Sequence, residues 1–198
     1  NEDTLGDGEV QWITAGSGIM HEEKLPAAER LLGVQLWLNL PAKDKMAPPA
    51  YQSIKNSNIE EISFDWGKLR LLAGKFEGRK GYMSKYLPLN YYDLHINSKE
   101  AVIINTEHED SVMVFTLLGD AYICGESVKE KTAVKLSFGD QVEIKATDEK
   151  AQVLFISSKR LDEPVAWGGP IVMNTEEELN KAFDDLRKGT FLKDKIAY

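Results

Sequence analysis

Internal disulfides are excluded in this chain, because its single cysteine, Cys124, has no partner. A lone thiol suits a reducing compartment, which points to the cytoplasm, or to the nucleus if the source is eukaryotic. No apolar run nears the ~20 residues of a membrane-spanning helix and no basic-then-apolar leader opens the sequence, so a membrane is not an expected partner. Positive charge is also short: 24 Lys and Arg stand against 32 Asp and Glu, a formal charge of -8. The acids are spread along the chain, and tight phosphate-backbone binding needs a concentrated basic footprint, so direct nucleic-acid binding is not expected. No glycine-rich loop followed by Lys-Ser/Thr is present, which removes a phosphate cradle. Histidine is scarce, with three in all: His21, His95 and His108. The chain does carry ordinary core-forming material, 42% hydrophobic and 28% charged over 198 residues, enough for one large domain or two small ones. It begins Asn1-Glu2-Asp3-Thr4 without an initiator Met and runs almost at once into patterned sequence, so it reads as a fragment or a processed product.

Most of that material is arranged as short runs rich in Val, Ile, Leu and aromatics, broken by Gly, Asn, Asp and Pro. Strands are expected over residues 9–14, 34–40, 69–73, 91–96, 101–105, 112–117, 121–124, 133–136, 141–146 and 152–157. Such spacing predicts a β-sandwich or barrel. In the 34–40 run, Val34, Leu36, Leu38 and Leu40 alternate with Gln35, Trp37 and Asn39, giving one core face and one mixed face. Pro41, Pro48 and Pro49 close that run, and the pattern resumes near Glu60 and continues to about Ser158. Gly6-Asp7 and Gly139-Asp140 each precede a strand start and mark tight turns, an echo compatible with two related β domains. One helix is predicted over residues 175–188. Asn174-Thr175 and three acids open it, Leu179, Ala182, Phe183 and Leu186 form its apolar stripe, and Arg187, Lys188 and Gly189 end it.

His21-Glu22-Glu23 is the tripeptide of most chemical interest. If extended, His21 and Glu23 point to one face and Glu22 to the other. An imidazole and a carboxylate at that spacing can reach one divalent cation, although two donors are too few alone and a surface His beside solvated acids has the same sequence. His95, between Asp93 and Ile96, reads as a half-exposed hydrogen-bonded side chain, and His108 as part of a solvated charge-dense turn. Gly16 and Gly18 flank Ser17 in a turn where positive φ is expected, which would aim His21. Ser17 and His21 lack an orienting acid, so a nucleophilic triad is not indicated. Trp12, Trp37 and Trp167 are either core aromatics or the walls of a pocket for a planar ligand.

The stretch from Gly8 through Thr14-Ala15-Gly16-Ser17-Gly18 to His21-Glu22-Glu23 resembles the signature of the pirin family. So do Leu36-Trp37-Leu38-Asn39-Leu40-Pro41, Lys45-Met46, Pro48-Pro49 with Tyr51-Gln52, and Glu163-Pro164-Val165-Ala166-Trp167-Gly168-Gly169-Pro170 with Val172-Met173-Asn174-Thr175. These blocks keep the family's order from one end of the chain to the other, so the resemblance covers essentially all of it. The resemblance implies an all-β double cupin, two jelly-roll β-barrels with a C-terminal helix, the first cupin being incomplete. Residues 1–55 would be the remnant of the N-terminal, metal-site cupin and residues 56–198 the C-terminal cupin with its helix, metal-free as in the family.

Pirins hold one metal, commonly iron, through three His and one Glu. By resemblance His21 is the third His and Glu23 the carboxylate, a metal ligand and the catalytic base. The other two His belong to a His-x-His motif expected upstream of Asn1 and absent from this sequence. The implied activity is metal-dependent dioxygenation of flavonols such as quercetin, impaired in this chain, with iron or another divalent metal bound weakly or not at all. The resemblance equally implies a redox-sensing regulator that docks on a transcription factor. A flavonol-like aromatic substrate and a protein are thus the two expected partners.

Overall fold

The computed structural model describes residues 2–198. Its strands are β1 (Val10–Thr14), β2 (Ala50–Ile54), β3 (Glu60–Phe64), β4 (Gly67–Ala73), β5 (Lys75–Phe76), β6 (Arg79–Lys80), β7 (Leu89–Ile96) and β8 (Ala101–Asn105). They continue as β9 (Ser111–Leu118), β10 (Ala121–Ile123), β11 (Glu126–Val128), β12 (Ala133–Lys135), β13 (Gln141–Ala146), β14 (Ala151–Ser158), β15 (Ala166–Gly168) and β16 (Ile171–Met173), and one helix follows, α1 (Glu176–Lys188). The chain groups into two units, Asn1–Val10 with Ser53–Arg160, and Gln11–Gln52 with Leu161–Tyr198. The sequence suggested a linear division into 1–55 and 56–198. Contacts instead assign the helix and the C-terminal residues to the unit that contains 11–52.

In the first unit, a six-stranded sheet in the order β12-β9-β14-β7-β4-β3 accompanies a four-stranded sheet in the order β11-β10-β13-β8. Every pairing is antiparallel. The period-2 rule is visible in β13, where Val142, Ile144 and Ala146 are buried and Gln141, Glu143 and Lys145 are exposed. Central strands β7 and β14 are covered on both faces and read as nearly continuous buried runs. Their residues Leu94, Ile96, Val153 and Phe155 join Leu69, Leu71, Val114, Ile123 and Ile144 in one core. Tyr92 and Phe155 stack at 5.4 Å within it. Each such side chain contributes about 1.5–3 kcal/mol by leaving water. The β10–β11 hairpin turns through Cys124 (φ 49°) and Gly125 (φ 85°), the double positive φ that a two-residue hairpin with right-handed strand twist requires. Cys124 is exposed there.

In the second unit, β1 pairs with β2, and β15 with β16. The helix lays Leu179, Ala182 and Phe183 against Ala166, Ile171 and Met173, with Phe191 joining the cluster. Its N-terminus carries a reciprocal cap: Thr175 Oγ1 accepts from Glu178 N at 3.2 Å and Glu178 Oε2 accepts from Thr175 N at 3.1 Å. Gly189 ends it in the left-handed region at φ 71°. Residues 34–40 are the exception to the strand reading: they belong to none of the sheets, and Val34 and Trp37 are exposed. Alternation specifies a face only where a neighbouring strand takes up the backbone hydrogen bonds, and among the described residues none lies beside this run.

Candidate metal-binding site

His21 and Glu23 lie on irregular chain beyond β1, not on a strand. What directs them is the turn that β1 enters. Gly18 N donates to Ala15 O at 2.9 Å and Ser17 N to Ala47 O at 2.8 Å. Gly16 sits at φ 51°, and a Cβ there would lie 1.9 Å from Ala47 O, so only glycine lets the two backbones approach this closely. Gly18, at φ 134°, would place a Cβ 2.9 Å from the Phe191 ring. Ser17, only 7% exposed, donates its Oγ to Asp194 Oδ2 at 2.8 Å.

Three residues past this turn, His21 Nε2 stands 3.8 Å from Glu23 Oε1. The i,i+2 spacing therefore brings the two side chains together. Gln11 Nε2 on β1 donates to the same Glu23 oxygen at 2.9 Å, which ties the carboxylate to the strand. Both partners are open to solvent, 44% and 45% exposed at their side chains. Imidazole with carboxylate is a donor set suited to iron and related divalent metals. It supplies two positions. Among the described residues no group of three or more His, Cys, Asp or Glu is placed to hold a metal ion, so the residues present do not complete a site for the metal that the sequence resemblance implies.

The other histidines are engaged elsewhere. His95 Nε2 is 3.2 Å from Asp93 Oδ2, and His108 Nδ1 is 3.0 Å from Asp140 Oδ1 on an exposed turn. Trp37 and Trp167 stand exposed, their indoles donating to Gln35 Oε1 and Gly169 O, while Trp12 is half-buried.

Two polar centres escaped the sequence reading. One is Lys45, buried in the unit that contains the His21 turn. Its Nζ donates to Asn39 Oδ1 at 2.5 Å and to Leu40 O at 2.9 Å. Burial pushes its ammonium below the ordinary lysine value, opposed by the charges of Glu163 and Glu178. Glu163 Oε2 also accepts from Ala42 N at 2.6 Å, so segment 39–45 is held by backbone and side chain together. The second centre is Asp93, in the other unit, buried yet accepting from Arg70 and Gln152 at 3.1 and 2.9 Å. Arg70 also reaches Glu61, Asn56 and Gly8 O, which fixes residues beside the N-terminus to the sheet. Spacing along the chain announces neither cluster, because the charges facing Lys45 come from residues 163 and 178 and the partners around Asp93 from residues 8, 56, 61, 70 and 152.

Comparison with known proteins adds the following. The sequence profile described as the Pirin C-terminal cupin domain matches residues 91–192, and the profile described as Pirin matches residues 1–38. A candidate quercetin 2,3-dioxygenase of Pseudomonas aeruginosa is 34% identical over 96% of this chain and 68% of its own length. Pirin from Homo sapiens is 33% identical over 92% of this chain and 65% of its own length. The crystal structure of quercetin 2,3-dioxygenase from Acinetobacter baumannii superposes with a TM-score of 0.80 at 28% identity, covering 93% of this chain and 67% of that one.

Proposed function

The chain belongs to the pirin family and has its cupin β fold with one C-terminal helix, and on that premise we propose that it serves a metal-dependent dioxygenase centre acting on flavonols of the quercetin type, to which it contributes His21 and Glu23. The observation that carries this reading is the 3.8 Å approach of His21 Nε2 to Glu23 Oε1 beyond a turn in which Gly16 leaves no room for a Cβ. Two relatives, from Pseudomonas aeruginosa and Acinetobacter baumannii, carry the quercetin 2,3-dioxygenase name.

In this reading Glu23 is the carboxylate that takes up the enolic proton of the substrate, and Gln11 holds it in place through Oε1. Among the described residues the other two histidines are each paired with an Asp, His95 with Asp93 and His108 with Asp140. The 198-residue sequence has no His-x-His, so in this reading the chain as given retains iron weakly and turns over little. Its two donors leave most of a coordination sphere to water.

Iron content after loading and desalting tests the first half. Clearly sub-stoichiometric iron is expected, falling further in His21→Ala. Near-stoichiometric iron that depends on His21 would overturn the impaired reading and mean that other residues, or a second copy of the chain, complete the site. Oxygen uptake with quercetin, on the iron-loaded full-length protein, tests the second half. Uptake abolished by Glu23→Gln is the expected result. No uptake, with metal-state-dependent binding of a transcription factor instead, would replace the enzyme by the regulator.

A further inference from the structure

The residues after α1 cross back over the turn that directs His21. Asp185, on the helix, anchors their start: Thr190 Oγ1 donates to Asp185 Oδ1 at 3.1 Å and Lys193 Nζ to Asp185 Oδ2 at 2.8 Å. Lys193 Nζ also closes on Thr190 O at 2.6 Å. Further along, Ala197 N donates to Pro49 O at 3.1 Å and Tyr51 N to Ala197 O at 2.8 Å, a parallel bridge onto β2. Between these two fastenings the segment touches the turn twice. The Phe191 ring and carbonyl fill the space a Cβ of Gly18 would need, and Asp194 Oδ2 receives the Ser17 hydroxyl.

We infer that residues 190–198 are a positioning strap for the His21–Glu23 pair, with Asp194 as the positioning residue acting through Ser17. This rests on the role proposed above for that pair. The physical case is one of constraint. His21 and Glu23 sit on chain without ladder hydrogen bonds, so their direction is set by how the backbone leaves the turn at Gly18. Gly18 has positive φ, where glycine ranges widely, and cannot fix that direction itself. Phe191 restricts it from one side, while the Ser17 hydroxyl, buried and satisfied by Asp194, pins the residue before it. Without Asp194 the Ser17 oxygen is left buried beside Ala47 without its acceptor, and the turn must open to hydrate it. A loosened turn separates two side chains that stand at 3.8 Å with, among the described residues, Gln11 on Glu23 as their other hold.

Nuclear magnetic resonance on the metal-free chain tests this without any turnover. The readouts are the His21 imidazole resonances and the cross-relaxation between the His21 ring and the Glu23 side chain, with His95 and His108 as internal controls. Asp194→Ala and Ser17→Ala are each expected to shift the His21 signals and abolish the His21–Glu23 cross-peak. Asp194→Asn, which keeps an oxygen acceptor, should leave both unchanged, and Phe191→Ala should move His21 through the other contact. Unmoved His21 signals in Asp194→Ala, an Asp194→Asn spectrum like that of Asp194→Ala, or equal movement of His95 and His108 would each overturn the strap. Because no metal or quercetin is present, failure of the dioxygenase reading leaves this result standing. Failure here leaves the oxygen-uptake experiment untouched.

Discussion

Arg70 on β4 lies opposite Asp93 on β7 in the sheet register, and its Nη1 approaches Asp93 Oδ2 to 3.1 Å with the two side chains only 11% and 5% exposed. A charge pair this well covered stands or falls together. Arg70→Ala leaves the Asp93 carboxylate buried without its guanidinium and is expected to cost about 3 kcal/mol in urea unfolding. Adding Asp93→Asn to that variant should recover part of the loss, since the stranded charge is then gone. A double variant no more stable than Arg70→Ala would refute the pairing as the cause.

Acid should act through the same carboxylate. Burial raises the Asp93 pKa, but the hydrogen bond and charge of His95, the Gln152 amide and Arg70 outweigh it and hold it below the usual carboxylate value. The unfolded chain then binds the proton more tightly than the folded one. The stabilisation is complete above the unfolded value of about 3.9 and is lost as pH falls through the lower folded value. Urea midpoints measured from neutral to acid pH should drop less steeply for Asp93→Asn than for the unaltered chain.

At the alkaline end, burial and then the charge of Asp93 push the Tyr91 phenol up to about 12, and burial raises Tyr92 as well. An acid whose folded pKa is raised keeps its full contribution below the unfolded value of about 10 and loses it as pH climbs toward the folded one. The phenolate absorbance of this pair should therefore appear only together with unfolding. A Tyr91→Phe variant should resist alkali better.

Glycine replacements in the His21 turn should separate backbone need from chance. Gly16→Ala brings a Cβ against Ala47 O at a positive φ and is expected to destabilise by at least about 2 kcal/mol. Gly33→Ala has nothing within 4 Å and no positive φ, so its stability should match the unaltered chain within about 0.5 kcal/mol. Thermal melts of the two variants check the contrast, and equal melting temperatures would discard the tight-approach argument.

The barrel was legible because its strands have neighbours. Each run from 69–73 to 152–157 became a strand within two residues of its expected ends, and the helix received the cap that Thr175 and Glu178 promised. Residues 34–40 carried an equally good alternating pattern and stayed irregular, since pattern is a property of one segment and pairing of two. Neither Gly-Asp pair takes a positive φ at its glycine: at the first it falls on Gly8, with Glu9 N closing onto Gly6 O at 3.1 Å, and Gly139 has none. At the candidate site, the sequence pointed to the nearness of His21 and Glu23 and to the turn around Ser17, but not to Gln11 or to the hydrogen bond from Ser17 to Asp194. Asp194 lies almost a full chain length from Ser17, and no spacing rule spans that distance.

The hairpin tip at Cys124 has a practical consequence. The sole thiol of the chain is exposed on a two-residue turn at the end of short strands, where Cys124 takes part in the sheet only through its backbone N, which donates to Glu143 O at 2.9 Å. A maleimide dye or spin label should therefore attach there once and stoichiometrically, giving a reporter on the barrel that leaves the His21 turn chemically untouched. The same exposure makes the tip the one position where oxidation can couple two copies covalently, so a band of doubled mass without reductant should vanish in Cys124→Asn. Asparagine tolerates the left-handed backbone better than cysteine, and the replacement should keep the hairpin intact.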